Sequence, residues 1–458
     1  MLGYVGQALA LMGALDDRDD RDDRNHRHEG VAIDAGGAGG AGGAGAESAG
    51  LDAPQRGRLR WRLLDARECT LGLQGRRAEQ REDIAALEVL AETLGDNVLR
   101  FEAAWRRCDI ALRVADYRAV EAVARQALQI AQRTPDRALV LRAQLRIAIA
   151  RGEQGDWKAG EVIAEQGLIE ARALGLRRIE TLFLNALSVA AGVQDDLMRA
   201  LRIDQEKVLI DRELGNPLNE AITIGNIGES WLQLGDHHQA RRDLEDGLRL
   251  TRAVGNRAME CIPLLNLTQL VLRQGDAALA LAHAQTALGI AIEVQNPEYE
   301  ARALCHIGHA ELALGHLDAA SSAFERGWAV ALGADIEAQH DAAAGIAKLA
   351  LAQGDTAGAM TAVEGLLAHL AGGGTLVGTD GPRLIMLTCC QVLASAHDSR
   401  AAPLLVGAHT ALLGIADAIT DAALRTSFLH KIPEHREIVA AWVVQQRAPL
   451  SAIEPAGD

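Results

Sequence analysis

Along residues 217–234, apolar side chains return at helical spacing: Ile222, Ile224, Ile227, Trp231, Leu232 and Leu234. The spacing predicts one amphipathic helix. Gly235 ends it, because glycine accepts the left-handed backbone of a helix C-terminus. Asp236 follows as an N-cap, with Gln239 where a capping box places its partner. Ala240, Leu244, Leu248 and Leu250 then mark the buried side of a second helix, which closes at Gly255-Asn256. A hairpin of two such helices cannot bury both apolar faces alone and needs a neighbour on either side.

Those neighbours lie forty residues apart. The turn position reads Gly75, Ala115, Gly155, Asp195, Gly235, Gly275 and Gly315, then Gly354 after a one-residue deletion. The next position is mostly aspartate: Asp116, Asp156, Asp196, Asp236, Asp276 and Asp355. Inside the first helix a small residue recurs as Cys108, Ala148, Ser188, Gly228, Thr268, Gly308 and Ala347, which suits close helix approach. In the second helix Ala200, Ala240, Ala280, Ala320 and Ala359 form one column. Leu128, Leu168, Val208, Leu248, Leu288, Trp328 and Leu367 form another. Trp157, Trp231 and Trp328 are expected to be packing residues. Pro135, Pro217 and Pro297 fall at repeat joints, whereas Pro263 sits where it should bend or shorten its helix.

A small residue, an aromatic three later, Gly-Asp at the turn, then Ala and Gly-Leu resembles the tetratricopeptide repeat; Gly228, Trp231, Gly235, Ala240 and Gly247-Leu248 carry it best. That repeat usually has a period of about thirty-four residues; the longer period here resembles the repeats of large bacterial ATP-dependent regulators. The resemblance implies an all-α fold, a right-handed α-solenoid of about eight hairpins over 57–375, closed by a C-terminal helical cap over 376–446. Helices are expected in that cap at 382–396, 400–416, 418–430 and 433–446. The stretch Phe428-Leu429 and IPEHREIVAAW (432–442) is similar to the C-terminal end of bacterial proteins that join a nucleotide-cyclase domain, a signalling ATPase and a long tetratricopeptide tail. That implies a sensor or regulatory C-terminal portion of a signalling protein; the alternative is a free-standing adaptor.

Outside the repeat the pattern changes. Residues 2–14 have an apolar run broken by glycines and no positive flank, so a signal peptide is disfavoured. Gly6, Leu9 and Gly13 keep the spacing of Gly228, Trp231 and Gly235. Residues 1–15 are therefore expected to be a partial repeat helix, and the chain a fragment of a larger protein. DDRDDRDDR and GGAGGAGGAG make 16–56 a solvated low-complexity linker, and 447–458 should fray.

Composition narrows the function. Aromatics are only 3% and the formal net charge is −16, which argues against general nucleic-acid binding. No membrane span is expected. Six cysteines without CxxC spacing read as buried thiols of a reducing, cytoplasmic setting. There is no GxxxxGK[ST], HExxH or GxSxG, so no catalytic residue, cofactor or metal is assigned. His26 and His28 lack a third ligand. His237, His238 and Glu434-His435-Arg436 read as helix-surface residues.

What remains is a binding face. In the resemblance, first helices line the groove, and positions stepped by forty should project there. One column reads Arg106, Arg146, Ala186, Asn226, Asn266 and His306. The next reads Asp109, Ile149, Val189, Glu229, Gln269 and His309. Two more add Arg113, Gln233 and Arg273, and Arg142 and Arg302. Amides in the middle and arginines at the flanks suit a protein or peptide partner, or a small acidic effector, because arginine pairs bidentately with carboxylates.

Overall fold

The computed structural model describes residues 53–73, 76–334 and 336–447. The partial helix expected over 1–15, most of the linker and the tail beyond 447 lie outside them. All regular structure in the described residues is helical. Eight hairpins follow one another: α1 (Ala53–Leu73) and α2 (Arg77–Leu94); α3 (Asn97–Arg113) and α4 (Tyr117–Ala131); α5 (Arg137–Glu153) and α6 (Trp157–Ala173); α7 (Arg177–Val193) and α8 (Leu197–Glu213); α9 (Pro217–Leu234) and α10 (His237–Val254); α11 (Cys261–Arg273) and α12 (Ala277–Glu293); α13 (Pro297–Ala313) and α14 (Leu317–Ala334); α15 (Ala338–Ala352) and α16 (Thr356–Ala371). Four further helices follow, α17 (Pro382–Ser395), α18 (Ala401–Ala418), α19 (Ala422–His430) and α20 (Pro433–Arg447). This is the all-α hairpin solenoid with a C-terminal helical piece that the repeat resemblance implies.

Turn chemistry repeats with the hairpins. The Asp116, Asp156, Asp196, Asp236, Asp276 and Asp355 side chains each accept a hydrogen bond from the backbone N–H three residues on. Each satisfies one of the donors a helix start leaves open. Positive φ recurs at 95, 115, 155, 175, 195, 215, 235, 255, 275, 295 and 315, so the backbone reverses about every half-repeat. Ala115 and Asp195 adopt this conformation without being glycine. Pro217 and Pro297 open α9 and α13, where no N–H is needed. Pro263 has its expected effect: a 3-10 turn (Ala258–Glu260) replaces the first turn, and α11 has 13 residues against 17 for α13.

The described residues divide between Ala190 and Ala191 into two compact units. In the first, Phe101, Trp105, Ala127, Ala131 and Val140 form one core, and Cys108, Val120, Ala124 and Ile147 another. Gly167 lies against the Phe183 ring, where a Cβ would come within 2.1 Å.

In the second unit Ala200, Ala240, Ala280, Ala320 and Ala359 are all buried, as are Ile227 and Leu267. The Phe324 ring fills the space left by Gly308 and Gly345. Trp231 is half-buried between two cores. Trp328 departs from expectation: it is 44% exposed, because a packing column does not reveal where a large ring overruns its slot. None of the six cysteines is in a disulfide; Cys69 is half-buried and the others buried.

The C-terminal helices do more than cover the last hairpin. α17 packs on α15 and α16 through Ile385, Cys389, Val392 and Leu393. Leu405, Leu412, Phe428, Ile432 and Ile438 return to Leu197, Leu201, Ile224, Ile227 and Leu234 on α8 and α9. Arg383 pairs with Asp195 at 2.5 Å. α18 is long and apolar enough to cross a membrane by length and composition, but Leu405, Leu412 and Ile415 on one side of it are buried in this core.

Gly235 sits where α19 arrives. Its φ is 78°, and a Cβ there would lie 2.8 Å from the Ser427 carbonyl oxygen, whereas Gly275, at φ 86°, faces open space. Gly275→Ala should therefore cost only the left-handed penalty, about 1–2 kcal/mol. Gly235→Ala should cost more and raise hydrogen exchange in α19 and α20. Equal midpoints in urea and unchanged exchange would refute this packing.

Candidate functional site

In the first unit, the expected ladder is occupied by its own chain. Arg106 meets Asp65 at 2.5 Å and Glu68 at 3.3 Å. Burial would lower its pKa, but Asp65, Cys69 and Glu68 outweigh that and hold it above the usual value. Arg142 bonds Glu102 at 3.1 Å and lies over the Trp105 ring. Arg146, fully buried, bonds Asp109 at 2.7 Å and also lies over Trp105. Arg113 is exposed. Arg106, Arg142 and Arg146 clamp neighbouring hairpins together.

The second unit begins the same way. Asn226, Glu229 and Asn266 are buried on α9 and α11. Glu229 accepts from Gln233 at 3.2 Å and from Asn266 of the next hairpin at 3.3 Å. Beyond them the ladder opens. Gln269, Leu272 and Arg273 from α11, Cys305, His306, His309, Leu312 and Ala313 from α13, and Asp341 and Lys348 from α15 form one side of a cavity of about 330 Å³. The C-terminal segment forms the other, with Asp380, Gly381, Leu384, Leu387, Gln391, Pro433, Glu434 and Glu437.

Ion pairs hold the two sides together. Asp380 takes an ion pair from Arg302 and lies 3.1 Å from His306 Nε2, while Gln269 donates to its carbonyl at 3.5 Å. Burial would raise the Asp380 pKa; Arg302 and His306 override it and hold the carboxyl well below the carboxylate range. Asp341 accepts from the N–H groups of Asp380 and Gly381 at 3.0 and 3.1 Å, and so fixes where α17 begins. Burial and the nearby Asp380 push the Asp341 carboxyl up to about 7. Arg273 donates to Glu434 at 2.5 Å and to the Leu232 carbonyl at 3.1 Å. Burial holds His309 neutral, helped by Lys348, and its ring meets Phe324 edge-on at 5.0 Å. The Cys305 thiol is pushed far up by burial, which makes it a poor nucleophile.

Sequence reasoning found Gln269, Arg273, Arg302, His306 and His309 here and missed their partners. Two of those missed continue the ladder across the one-residue deletion: Lys348 follows His309, and Asp341 follows Arg302. Glu434 and His435 correct an expectation. They face inward: Glu434 pairs with Arg273 of α11, and His435 is buried against the Phe428 ring of α19, with Nδ1–H donating to the Phe428 carbonyl at 2.8 Å. His237 is half-buried beside them, and His238 is exposed. Among the described residues no group of three or more His, Cys, Asp or Glu is placed to hold a metal.

No protein-family profile matches the sequence, and no curated protein matches it. Among solved structures the chain is similar to the apo form of the quorum sensor NprR from B. thuringiensis, with TM-score 0.54 and 12% identity over 81% of this chain and 100% of that one. It is similar to NprR in complex with its cognate peptide NprX, with TM-score 0.50 and 12% identity over 75% and 97%. A signal-transduction ATPase with numerous domains and a tetratricopeptide repeat sensor, from Pyrococcus horikoshii, aligns with TM-score 0.49 and 15% identity over 71% of this chain and 48% of that one. The NprR likeness establishes the fold.

Two outcomes follow from the ion pairs and the buried imidazole. Asp380→Asn removes the close counter-charge of the buried Arg302, leaving Glu298 at 3.8 Å, and should cost about 3–5 kcal/mol locally. It should speed amide exchange in 372–396 while the α3–α4 hairpin stays protected; unchanged exchange in 372–396 would refute the pairing. His435 is lowered to about 4, chiefly by burial. Its neutral form stabilises the fold fully above the unfolded value near 6.5, and that contribution falls away as pH drops through 4. The loss is about 3 kcal/mol. His435→Asn, whose amide can still donate to Phe428, should flatten the acid sensitivity of the α19–α20 region; an unaltered pH profile would contradict it.

Proposed function

We propose that the chain is a non-catalytic sensor, in which a ligand enters the cavity between the α11, α13 and α15 face and the C-terminal segment and biases how that segment docks. One observation carries this reading: the cavity wall is half ladder and half C-terminal segment, so an occupant touches both. A ligand that contacts both sides favours one docking geometry by its differential affinity for it. NprR, a quorum sensor with a cognate peptide, shares the fold and supports a ligand-binding role without specifying the ligand here.

In the finer reading, the chain is the cytoplasmic regulatory portion of a bacterial ATP-dependent signalling protein of the cyclase–ATPase or transcriptional-regulator type. Its support is the resemblance of 428–442, the stretch that supplies Pro433, Glu434 and Glu437 to the cavity. Genomic sequence upstream checks it: an in-phase frame encoding a P-loop ATPase is expected, and a separate gene of unrelated function would sink it.

The sensor reading is checked by thermal-shift screening of peptides and metabolites of all charge classes, followed by hydrogen exchange. True ligands should alter exchange in 372–396 and 433–447 and lose their effect in Leu384→Trp, which fills the cavity. Ligands that act fully on Leu384→Trp, or leave the C-terminal segment unchanged, would place the site elsewhere.

A further inference from the structure

The charged groups lining the cavity are nearly all matched within the chain. Asp380 is met by Arg302 and His306, and Glu434 by Arg273. Asp341 is engaged by two backbone N–H groups. Gln391 donates to Glu437 at 3.1 Å on the exposed side. Lys348 differs: the residue lines the cavity half-buried, and its side chain makes no hydrogen bond or ion pair among the described residues. Beside it are the neutral His309 ring and the apolar walls of Leu272, Leu312, Leu384 and Leu387.

We infer that the ligand is a small amphipathic monocarboxylate, with its carboxylate on the Lys348 ammonium and its apolar body among Leu272, Leu312, Leu384 and Leu387. The assignment rests on the sensor reading above and adds the chemical class. An ammonium with no partner in the chain is open to a charge-assisted contact with a carboxylate, which is stronger than one with a neutral acceptor. A single unmatched cation suits a single negative charge, since a dianion would leave its second charge beside Asp380 and Glu434. At about 330 Å³ the cavity is at the small end of ligand clefts, which run from about 300 to 1,000 Å³. That fits a compact molecule better than several residues of peptide.

The test is calorimetric titration of the full chain with octanoate and with octanamide, its neutral counterpart. Octanoate should bind at least about tenfold more tightly than the amide, the worth of one charge-assisted contact. Lys348→Met should bring octanoate down to the level of the amide, and Lys348→Arg should retain the preference. Equal binding of acid and amide to the wild type, a preference that survives Lys348→Met, or no binding of either probe at millimolar concentration would overturn the assignment. If neutral or cationic probes bind instead and Leu384→Trp abolishes them, the class falls and the sensor reading stands. If octanoate binds Leu384→Trp undiminished, both fall. A pentapeptide ending in leucine, with free and amidated C-termini, separates the sources: tighter Lys348-dependent binding of the free peptide than of octanoate would overturn the small-acid assignment in favour of a chain terminus.

Discussion

A largely buried carboxylate between an arginine and a histidine anchors the C-terminal segment of this molecule. Asp380 lies where the chain leaves the last hairpin and crosses the face of the first helices. Pairing it with Arg302 and His306 offsets a desolvation cost of several kcal/mol per ion. Its value is therefore mainly in placement. With Asp380 fixed, Asp341 meets the N–H groups of Asp380 and Gly381 just ahead of α17, and the direction of α17 carries α18, α19 and α20 back to α8 and α9.

The repeat was legible because its causes are local. A left-handed residue at each turn, an aspartate after it and a small residue facing its neighbour are all written in the sequence at one spacing. The structure uses each of them as the physics requires. Even the deletion before α15 obeys the logic. It falls at the joint near residues 328–338, so the register of α15 about its own axis is kept and Lys348 still faces the way His309 does. A residue lost inside the helix would have turned the face by about 100°.

The other half of the cavity was not legible for the opposite reason. Nothing periodic says where a non-repeating segment docks. The arginines at 273 and 302 announced a need for carboxylates; that Glu434 and Asp380 of the same chain meet it depends on contacts across long separations. His435 and Glu434 looked like surface residues because α20, taken alone, has room for them on its polar side. Only the helix packed against it makes that side an interior.

The return of the C-terminal helices has a consequence for cooperativity. A repeat array held only by nearest neighbours unravels from its ends, each hairpin nearly independent of distant ones. Here Arg273 and Glu434, 161 residues apart, are joined, and Ile432 shares a core with Ile227. The linear array in the 191–447 unit is thereby closed into a ring of contacts. Its end hairpin cannot fray without loosening α9, and α9 cannot loosen without releasing the end. Such a unit melts as one body and folds more slowly than its local helices would suggest, because its closing contacts carry a large loop-closure entropy.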